Sequence, residues 1–516
     1  MLDVSKLLTA DCYDHPVERI ELLETHISWV ILTGPYVYKI KKPVNFGFLD
    51  FSTLEKRRHY CEEELRLNRR LAPQIYLAVV PLCGTPAQPH FGHDRKIIDY
   101  AVKMRQFPQS AQLDRMLQNG TLQTSYLDAI AEKVAHFHQK IEIAAAGSDY
   151  GEPNQVWHPV AENFAQIRER EIDKDRIKRL DALYHWSRLS FEQLTPSLQR
   201  RKQDGFVREC HGDLHLRNMA WFEDTPVIFD CIEFNPQLRW IDVMSDMAFL
   251  FMDLIDRAQF RHAYRLLNHY LTVTGDYAGL AVLPFYVVYR AIVRAKVDRI
   301  RLSQSDITVA EEIQNRDEYI GYLRLAESFT QRQAPILIIT RGLSASGKST
   351  ISNVLLETLG AIRLRSDVER KRLAGIDIHS RAAATAGQGI YTPEMSRRTY
   401  DYLLQQARTV LQAGFSVIVD AAFLELTQRS RFTQLAAQLG LPFVILQCVA
   451  SATTLRRRIC ARQHDVSDAD LAILEHQLQH YQSLDDDELA HAISVDTEQT
   501  VDFQQLATRI QAYHGE

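Results

Sequence analysis

Two stretches hold residues whose types and spacing could do chemistry. HGDLHLRN (211–218) brings together two histidines, an aspartate and an asparagine, and RGLSASGKST follows far downstream at 341–350. The first has three readings: a polar turn, a metal cluster of His211, Asp213 and His215, or a loop for phosphoryl transfer. The metal reading lacks a convincing third histidine nearby, because HFH at 136–138 lies in a helical pattern. Phosphoryl transfer needs a carboxylate to orient the attacking hydroxyl and an amide oxygen to help hold Mg2+, both from one short loop. Asp213 and Asn218 have the four-residue gap found between those roles. A further metal carboxylate belongs on the next hairpin, and VIFDCIEF supplies Asp230 at the end of an apolar strand. Upstream, YVYKIKK offers Lys39 for the nucleotide phosphates, chosen over Lys41 and Lys42 because it follows the strand most directly. Glu64 in the next helical pattern could fix that lysine by an ion pair.

The second stretch fits GxxxxGK[ST] at every fixed position, follows the strand-like ILIIT and opens a helical pattern. Backbone N–H groups of Gly342, Ser344, Ala345, Ser346, Gly347 and Thr350, with the helix N-terminus, would cradle the phosphates of ATP. Lys348 reaches the β and γ phosphates, and the Ser349 hydroxyl is directed to Mg2+. After the second strand, Asp367 and Arg370 form a D-x-x-R. Asp367 can act as base toward an acceptor hydroxyl, and Arg370 can meet an anionic group on the acceptor or the phosphates. Asp420 ends the strand VIVD and can bind Mg2+ directly or through water. In LRRRICAR, Arg458 and Arg462 lie four apart, so they could close over the transferring phosphate or belong to a solvated basic face.

These residues need elements to hold them. Residues 20–42 read as short strands, 53–71 as a charged helix stopping at Ala72-Pro73, and IYLAVVPLC and IIDYAVKMRQF as further strands. Helical patterns dominate from about 110 to 328, apart from 206–234. The polar, proline-ended AESFTQRQAP (326–335) marks a boundary. Beyond it, five apolar strands alternate with helices, which argues a parallel sheet covered on both faces.

With these residues in place, 15–325 resembles the aminoglycoside phosphotransferase family, which includes choline and fructosamine kinases and is marked by HGDxHxxN. The resemblance implies an α+β, protein-kinase-like, two-lobed domain over 1–330, with a small lobe at 15–107 and a helical lobe at 108–328. It implies Asp213 as catalytic base, Asn218 and Asp230 on Mg2+, Lys39 with Glu64 positioning ATP, and Asp246 bracing the catalytic loop. The chain departs from the pattern in having no GxGxxG before Lys39, only turns near Thr25–Ser28 or Thr33–Pro35, and in following Asp230 with Cys-Ile. The acceptor pocket is expected after residue 235, where Glu233 and the 253–256 region could meet a ligand or be helix surface.

The region 334–516 resembles the small-molecule and polynucleotide P-loop kinases, among them adenylylsulfate, gluconate and polynucleotide 5′-kinases and the zeta-toxin group. That implies an α/β P-loop NTPase domain, a five-stranded sheet of order 2-3-1-4-5 and an arginine-bearing lid. The block from SDVERKRLAG through VIVDAAFLE to SDADLAILEHQ is similar to a bacterial AAA-type ATP-binding group often fused behind an aminoglycoside-phosphotransferase-like domain.

Bulk properties narrow the class. The 516 residues are 46% hydrophobic and 24% charged with a net charge of −5, so no global basic field draws the protein to nucleic acid. Seven cysteines without a CxxC pair fit a reduced, cytoplasmic protein. The N-terminal MLDVSKLLTADCYDHPVE is interrupted by charges and lacks the order of a signal peptide. The apolar run YAGLAVLPFYVVY (277–289) contains a proline and falls short of the ~20 residues that span a bilayer. The expectation is a bifunctional, ATP- and Mg2+-dependent phosphotransferase acting on hydroxyl groups of small molecules. The alternatives are that one half is an ATP-binding regulator, or that the C-terminal half phosphorylates polynucleotide 5′-hydroxyls.

Overall fold

The computed structural model describes all residues except 1, 48, 93, 95, 305, 306, 332, 333, 379, 381–388, 462–470 and 514–516. It divides into two compact units, Met1–Asn163 with Thr195–Asp253, and Phe164–Leu194 with Leu254–Glu516.

The first unit opens with β1 (Glu21–Glu24), β2 (Ser28–Leu32), β3 (Tyr36–Lys41), α1 (Leu54–Asn68), β4 (Tyr76–Thr85), β5 (Gln88–Phe91) and β6 (Ile97–Arg105). The strands form an antiparallel sheet of order β1-β2-β3-β6-β4-β5. Side chains alternate across a strand. In β3 this turns Tyr38 and Ile40 into a core with Trp29, Ile31 and Leu82, and leaves Lys39 and Lys41 on the opposite face. Helix α1 starts where the Thr53 hydroxyl accepts the Lys56 N–H, and it buries Arg57, Cys61, Glu64 and Asn68 along one stripe. The period of 3.6 thus carries Glu64 to the face where the β3 lysines lie.

Helices α2 (Leu113–Gln118), α3 (Thr124–Lys140), α4 (Pro153–Arg170) and α5 (Lys174–Gln203) follow in the chain, with Phe164–Leu194 of α4 and α5 belonging to the second unit, then β7 (Val207–Glu209), β8 (Met219–Phe222), β9 (Thr225–Ile228), β10 (Trp240–Asp242) and α6 (Val243–Asp256). β7 pairs with β10 and β8 with β9, both antiparallel. Glu223 and Asp224 take φ of 53° and 56° in the two-residue turn between β8 and β9, as a right-twisted hairpin requires. HGDLHLRN is the connection from β7 to β8, and Asp230 lies just past β9.

In the second unit, α7 (Phe260–Thr274), α8 (Leu283–Arg301) and α9 (Val309–Thr330) precede the P-loop sheet. The apolar run at 277–289 is a short 3-10 helix leading into α8, largely buried. A capping box between Thr308 and Glu311 starts α9. Then come β11 (Leu337–Arg341), α10 (Lys348–Leu359), β12 (Ile362–Arg365), α11 (Ser366–Leu373), α12 (Pro393–Gln412), β13 (Val417–Asp420), α13 (Leu426–Leu439), β14 (Phe443–Val449), α14 (Ala452–Cys460), α15 (Leu471–Gln479), α16 (Asp486–Leu489), β15 (Ala492–Asp496) and α17 (Phe503–Ala512). All five strands are parallel, in the order β12-β13-β11-β14-β15, which is the expected 2-3-1-4-5. β11 and β13 are buried along their whole length, because helices cover both faces. Among the described residues no helix is long and apolar enough to cross a membrane.

Arg429 of α13 is 1% exposed and forks onto Glu488 of α16, Nε to Oε1 at 2.6 Å and a terminal nitrogen to Oε2 at 2.9 Å. Arg429→Met would strand that carboxylate inside the unit, a loss of about 3–5 kcal/mol when one partner of a buried pair is removed. Urea unfolding followed by circular dichroism checks this, and an unchanged midpoint would contradict it.

Candidate active sites

In the first unit Glu64 has no solvent exposure. Its Oε1 lies 2.9 Å from Lys39 Nζ, and its Oε2 accepts from Lys41 Nζ at 2.8 Å. Lys39 also reaches Asp230 Oδ1 at 2.6 Å, and Lys41 pairs with the buried Glu233. Burial works against every charge here. At Lys39 it is overcome by Asp230, Glu64 and Glu233, so the ammonium is held well above its usual range. At Glu64 it is overcome by Lys39 and Lys41, which hold the carboxyl below its usual range. At Glu233 burial prevails over Lys41 and the carboxyl is pushed up. Lys42, by contrast, pairs at the surface with Glu24.

The connection after β7 is fixed by Asp246 near the start of α6. Its carboxylate accepts the N–H groups of His211 at 3.0 Å and Gly212 at 2.9 Å, and meets His138 Nε2 at 3.2 Å. Gly212 has φ +87°, and a Cβ there would sit 2.7 Å from the Leu238 carbonyl, so this position demands glycine. Asp253 accepts the Leu216 N–H at 2.9 Å. The Asn218 amide nitrogen donates to Asp213 at its carbonyl (3.0 Å) and at Oδ2 (2.9 Å). That orientation leaves the Asn218 amide oxygen for a cation. His215 Nε2 stands 3.2 Å from Asp213 Oδ2. Asp230 follows through the Phe229 N–H, which donates to the Asn218 carbonyl, and takes φ +63° with its own N–H on the Tyr76 hydroxyl.

The histidine metal cluster does not form. The ring nitrogens of His211 are engaged by the Phe229 carbonyl at 2.9 Å and the Asp213 N–H at 3.2 Å. Among the described residues, the metal-ligating side chains that do converge are His138, Cys210 and Asp246, all buried around the Asp246 brace. Glu233 faces Lys41, and Asp253 anchors the loop.

In the second unit a cavity of about 1570 Å³ lies where the parallel strands end, the usual place for a ligand in such a sheet. Lys348, Ser349, Asp367, Arg370, Asp420 and Arg458 all line it, as do Ser344, Ala345, Gly347 and Thr350. Gly342 and Ser346 form the underside of the loop. A Cβ on Gly342 would stand 2.5 Å from the Cys448 carbonyl, and the Ser346 hydroxyl is buried without a hydrogen-bond partner. Lys348 Nζ donates to the carbonyls of Gly342 at 2.9 Å and Leu343 at 2.8 Å. Asp420 Oδ2 accepts from the Ser352 hydroxyl at 3.0 Å, one helical turn beyond Ser349. Asp367 and Arg370 lie 3.5 Å apart on one face of α11, and the Arg370 guanidinium stacks on Tyr391. The Arg370 Nε is buried without a partner. Arg458 donates to the Ala345 carbonyl at 3.3 Å and to Thr497 at 2.6 and 2.9 Å, which braces the loop. Arg462 lies outside the described residues. Arg397, Arg431 and Gln477 also line the cavity, and no motif marks them. The Gln477 side chain accepts the Ser344 N–H at 2.8 Å, a loop donor of the kind that phosphates take.

The donor sets fit magnesium and a nucleoside triphosphate. Hydroxyl, carboxylate and amide oxygens suit a hard cation, and a lysine with inward backbone N–H groups suits phosphate. One unit has a parallel sheet with a phosphate loop, and the other a strand-lysine, helix-glutamate and HGD-loop arrangement.

Residues 337–484 match the family model of an AAA domain, AAA_33. The protein Rv2004c of Mycobacterium tuberculosis H37Rv is 32% identical over 467 residues, 89% of this chain and 90% of that protein. Mb2027c of Mycobacterium bovis matches to the same extent. Among solved structures, the amicoumacin kinase hAmiN with AMP-PNP, Ca2+ and Ami is 13% identical, covering 61% of this chain and 91% of that one at a TM-score of 0.39. A sugar kinase from Janibacter sp. HTCC2649 is 20% identical, covering 35% and 94% at a TM-score of 0.27.

Burial, ahead of the opposing Asp246 and Asp213 charges, holds the His211 imidazole below its ordinary value of 6.5. Below about pH 6.5 the unfolded chain therefore binds more protons than the folded one, and stability falls as pH drops. Above that pH His211 is neutral in both states and contributes no slope. Urea midpoints between pH 7.5 and 5 should decline, and the decline should be shallower in His211→Gln. An equal slope in both proteins would contradict the assignment.

Proposed function

The chain belongs to the family of Rv2004c and its mycobacterial counterparts, and from that premise we propose a cytoplasmic phosphotransferase with one ATP site in each unit. Each site passes the γ-phosphoryl group to a hydroxyl of a small molecule. The observation that carries the reading is the convergence of Lys348, Ser349, Asp367, Arg370 and Asp420, from three separate segments, on one cavity. A chance P-loop match would not bring a D-x-x-R and a strand-end aspartate to the same space.

In the second unit Lys348 would leave the Gly342 and Leu343 carbonyls for the β and γ phosphates, guided by the loop N–H groups. Ser349 and Asp420 would hold Mg2+, which supplies charge neutralisation at the phosphate oxygens. Asp367 would take the acceptor proton, and Arg370, with no partner for its Nε, would bind an anionic oxygen. Arg458 would steady the loop at Ala345, and the role expected of Arg462 stays a proposal from the sequence. In the first unit Asp213 would orient the hydroxyl, with His215 beside it. The Asn218 amide oxygen and Asp230 would hold Mg2+, and Lys39, fixed by Glu64, would exchange Asp230 for a phosphate oxygen.

One observation favours a regulatory role for the first unit instead. The β1–β2 turn, Thr25-His26-Ile27, has no glycine to bring backbone N–H groups onto phosphates. A polynucleotide acceptor is the weaker reading for the second unit, given the acidic net charge.

Incubating full-length protein with γ-labelled ATP, Mg2+ and a metabolite extract, then resolving products by mass, separates these readings. Asp213→Ala should remove one set of labelled products and Lys348→Ala another, each by ~100-fold or more, the usual weight of a positioned acid–base group for the first and of a donor on developing charge for the second. Products lost only in Lys348→Ala would make the first unit the regulator. Labelled products undiminished in both variants would contradict the proposal.

A further inference from the structure

The acceptor side of the P-loop cavity is held from outside the AAA-matching segment. β12 is an edge strand of the parallel sheet, with one side free of strand partners. On that side Asn268 of α7, 5% exposed, donates its amide to the Ala361 carbonyl at 2.9 Å and accepts the Arg363 N–H at 2.7 Å. One side chain thus supplies the donor and acceptor of a neighbouring strand, and its second amide hydrogen goes to the Tyr264 carbonyl at 2.8 Å. Three residues past Arg363 the chain turns into α11.

That helix has two working faces. Asp367 and Arg370 look into the cavity. Glu369 and Arg372, about 200° around the helix from Asp367 and Arg370 respectively, look away from it. Glu369 has no solvent exposure; its Oε1 accepts the Tyr277 hydroxyl at 2.8 Å and its Oε2 pairs with Arg372 at 2.5 Å. Arg372 also donates to the Thr272 carbonyl and lies flat on Gly275, where a Cβ would approach its guanidinium to 3.0 Å. α7 holds the far end of the P-loop helix as well. Arg265 pairs with Glu357 at 2.8 Å, and Phe260 and Tyr264 close over Gly360.

We propose that α7 and the turn after it set the acceptor site of the P-loop unit, with Asn268 and Tyr277 as positioning residues for Asp367 and Arg370. The inference rests on the reading of that cavity as a phosphotransferase site. Asn268 fixes the strand that delivers α11, and Tyr277 fixes the rotation of α11 about its axis through Glu369. A rotation of α11 would carry the Asp367 carboxylate away from an acceptor hydroxyl while leaving the phosphate loop intact. All of these anchoring residues precede 337, where the family match begins, so the device belongs to this fused arrangement.

The test uses the full chain with Asn268→Leu and Tyr277→Phe, the second removing only the hydroxyl. Three quantities are measured: calorimetric affinity for AMP-PNP with Mg2+, Lys348-dependent ATP turnover with water standing in for the acceptor, and hydrogen–deuterium exchange. Turnover should fall about tenfold or more, within the range that misplacing a catalytic group by an ångström can cause. AMP-PNP affinity should stay within about twofold, since the loop–ligand contacts are retained. Exchange should rise in 362–373 and not in 348–356. Unchanged exchange in 362–373 would overturn the proposal, as would an affinity loss matching the turnover loss, which marks general destabilisation. If the wild type shows no Lys348-dependent turnover, the phosphotransferase reading fails, and exchange alone decides whether the anchoring holds α11.

Discussion

Glu64, shut off from water between two ammonium groups, is the interaction on which the first unit turns. A carboxylate in that position is tolerable only when paired, and removing either lysine would leave charge stranded. Two lysines on one face of β3 and one glutamate on the facing stripe of α1 meet the requirement together. Glu233 and Asp230 then tie the cluster to the chain that follows the HGD loop. Each link is a fixed separation, so sheet, helix and loop are held in one frame. The carboxylates near the candidate phosphate site therefore lie where the frame puts them rather than where solvent would.

The second unit meets a related constraint with other means. A polyanion has to be met by donors aimed inward, and the loop after β11 aims them by taking φ values that favour glycine at Gly342 and Gly347 and a left-handed turn at Ala345. The buried ion pairs stand back from the cavity. Arg429 with Glu488 ties α13 to α16, and Glu369 with Arg372 and Tyr277 ties α11 to the turn after α7. Satisfied charge supports the scaffold, while Arg370, whose buried Nε has no hydrogen-bond partner, lines the ligand space.

What the sequence displayed and what it hid follow the range of the interactions. The phosphate loop is local: nine consecutive residues carry its geometry, and the strand before and helix after it are patterned by burial on both sides. The sheet order came with the resemblance and is the order found. Asp246 as the brace came with the resemblance, since the N–H groups it accepts lie 34 and 35 residues before it in the chain. Lys39 against Lys41 was not decidable from the chain, since a period of two puts both on one face and Glu64 bridges both. For Glu233 the chain left a ligand contact and helix surface both open, and its partner Lys41 is 192 residues away, where no local pattern reaches. Arg397, Arg431 and Gln477 carry no motif and come to the cavity only through packing. The AAA-matching segment begins at 337 and so leaves out Asn268 and Tyr277, which reach β12 and α11 from earlier in the chain through contacts that no local composition marks.

The central claim is that each unit holds its own nucleotide. Titrating full-length protein with AMP-PNP and Mg2+ in a calorimeter tests it most directly. The account predicts two binding events per chain, with one surviving Lys348→Ala. A single event in the wild type that disappears in Lys348→Ala would contradict it.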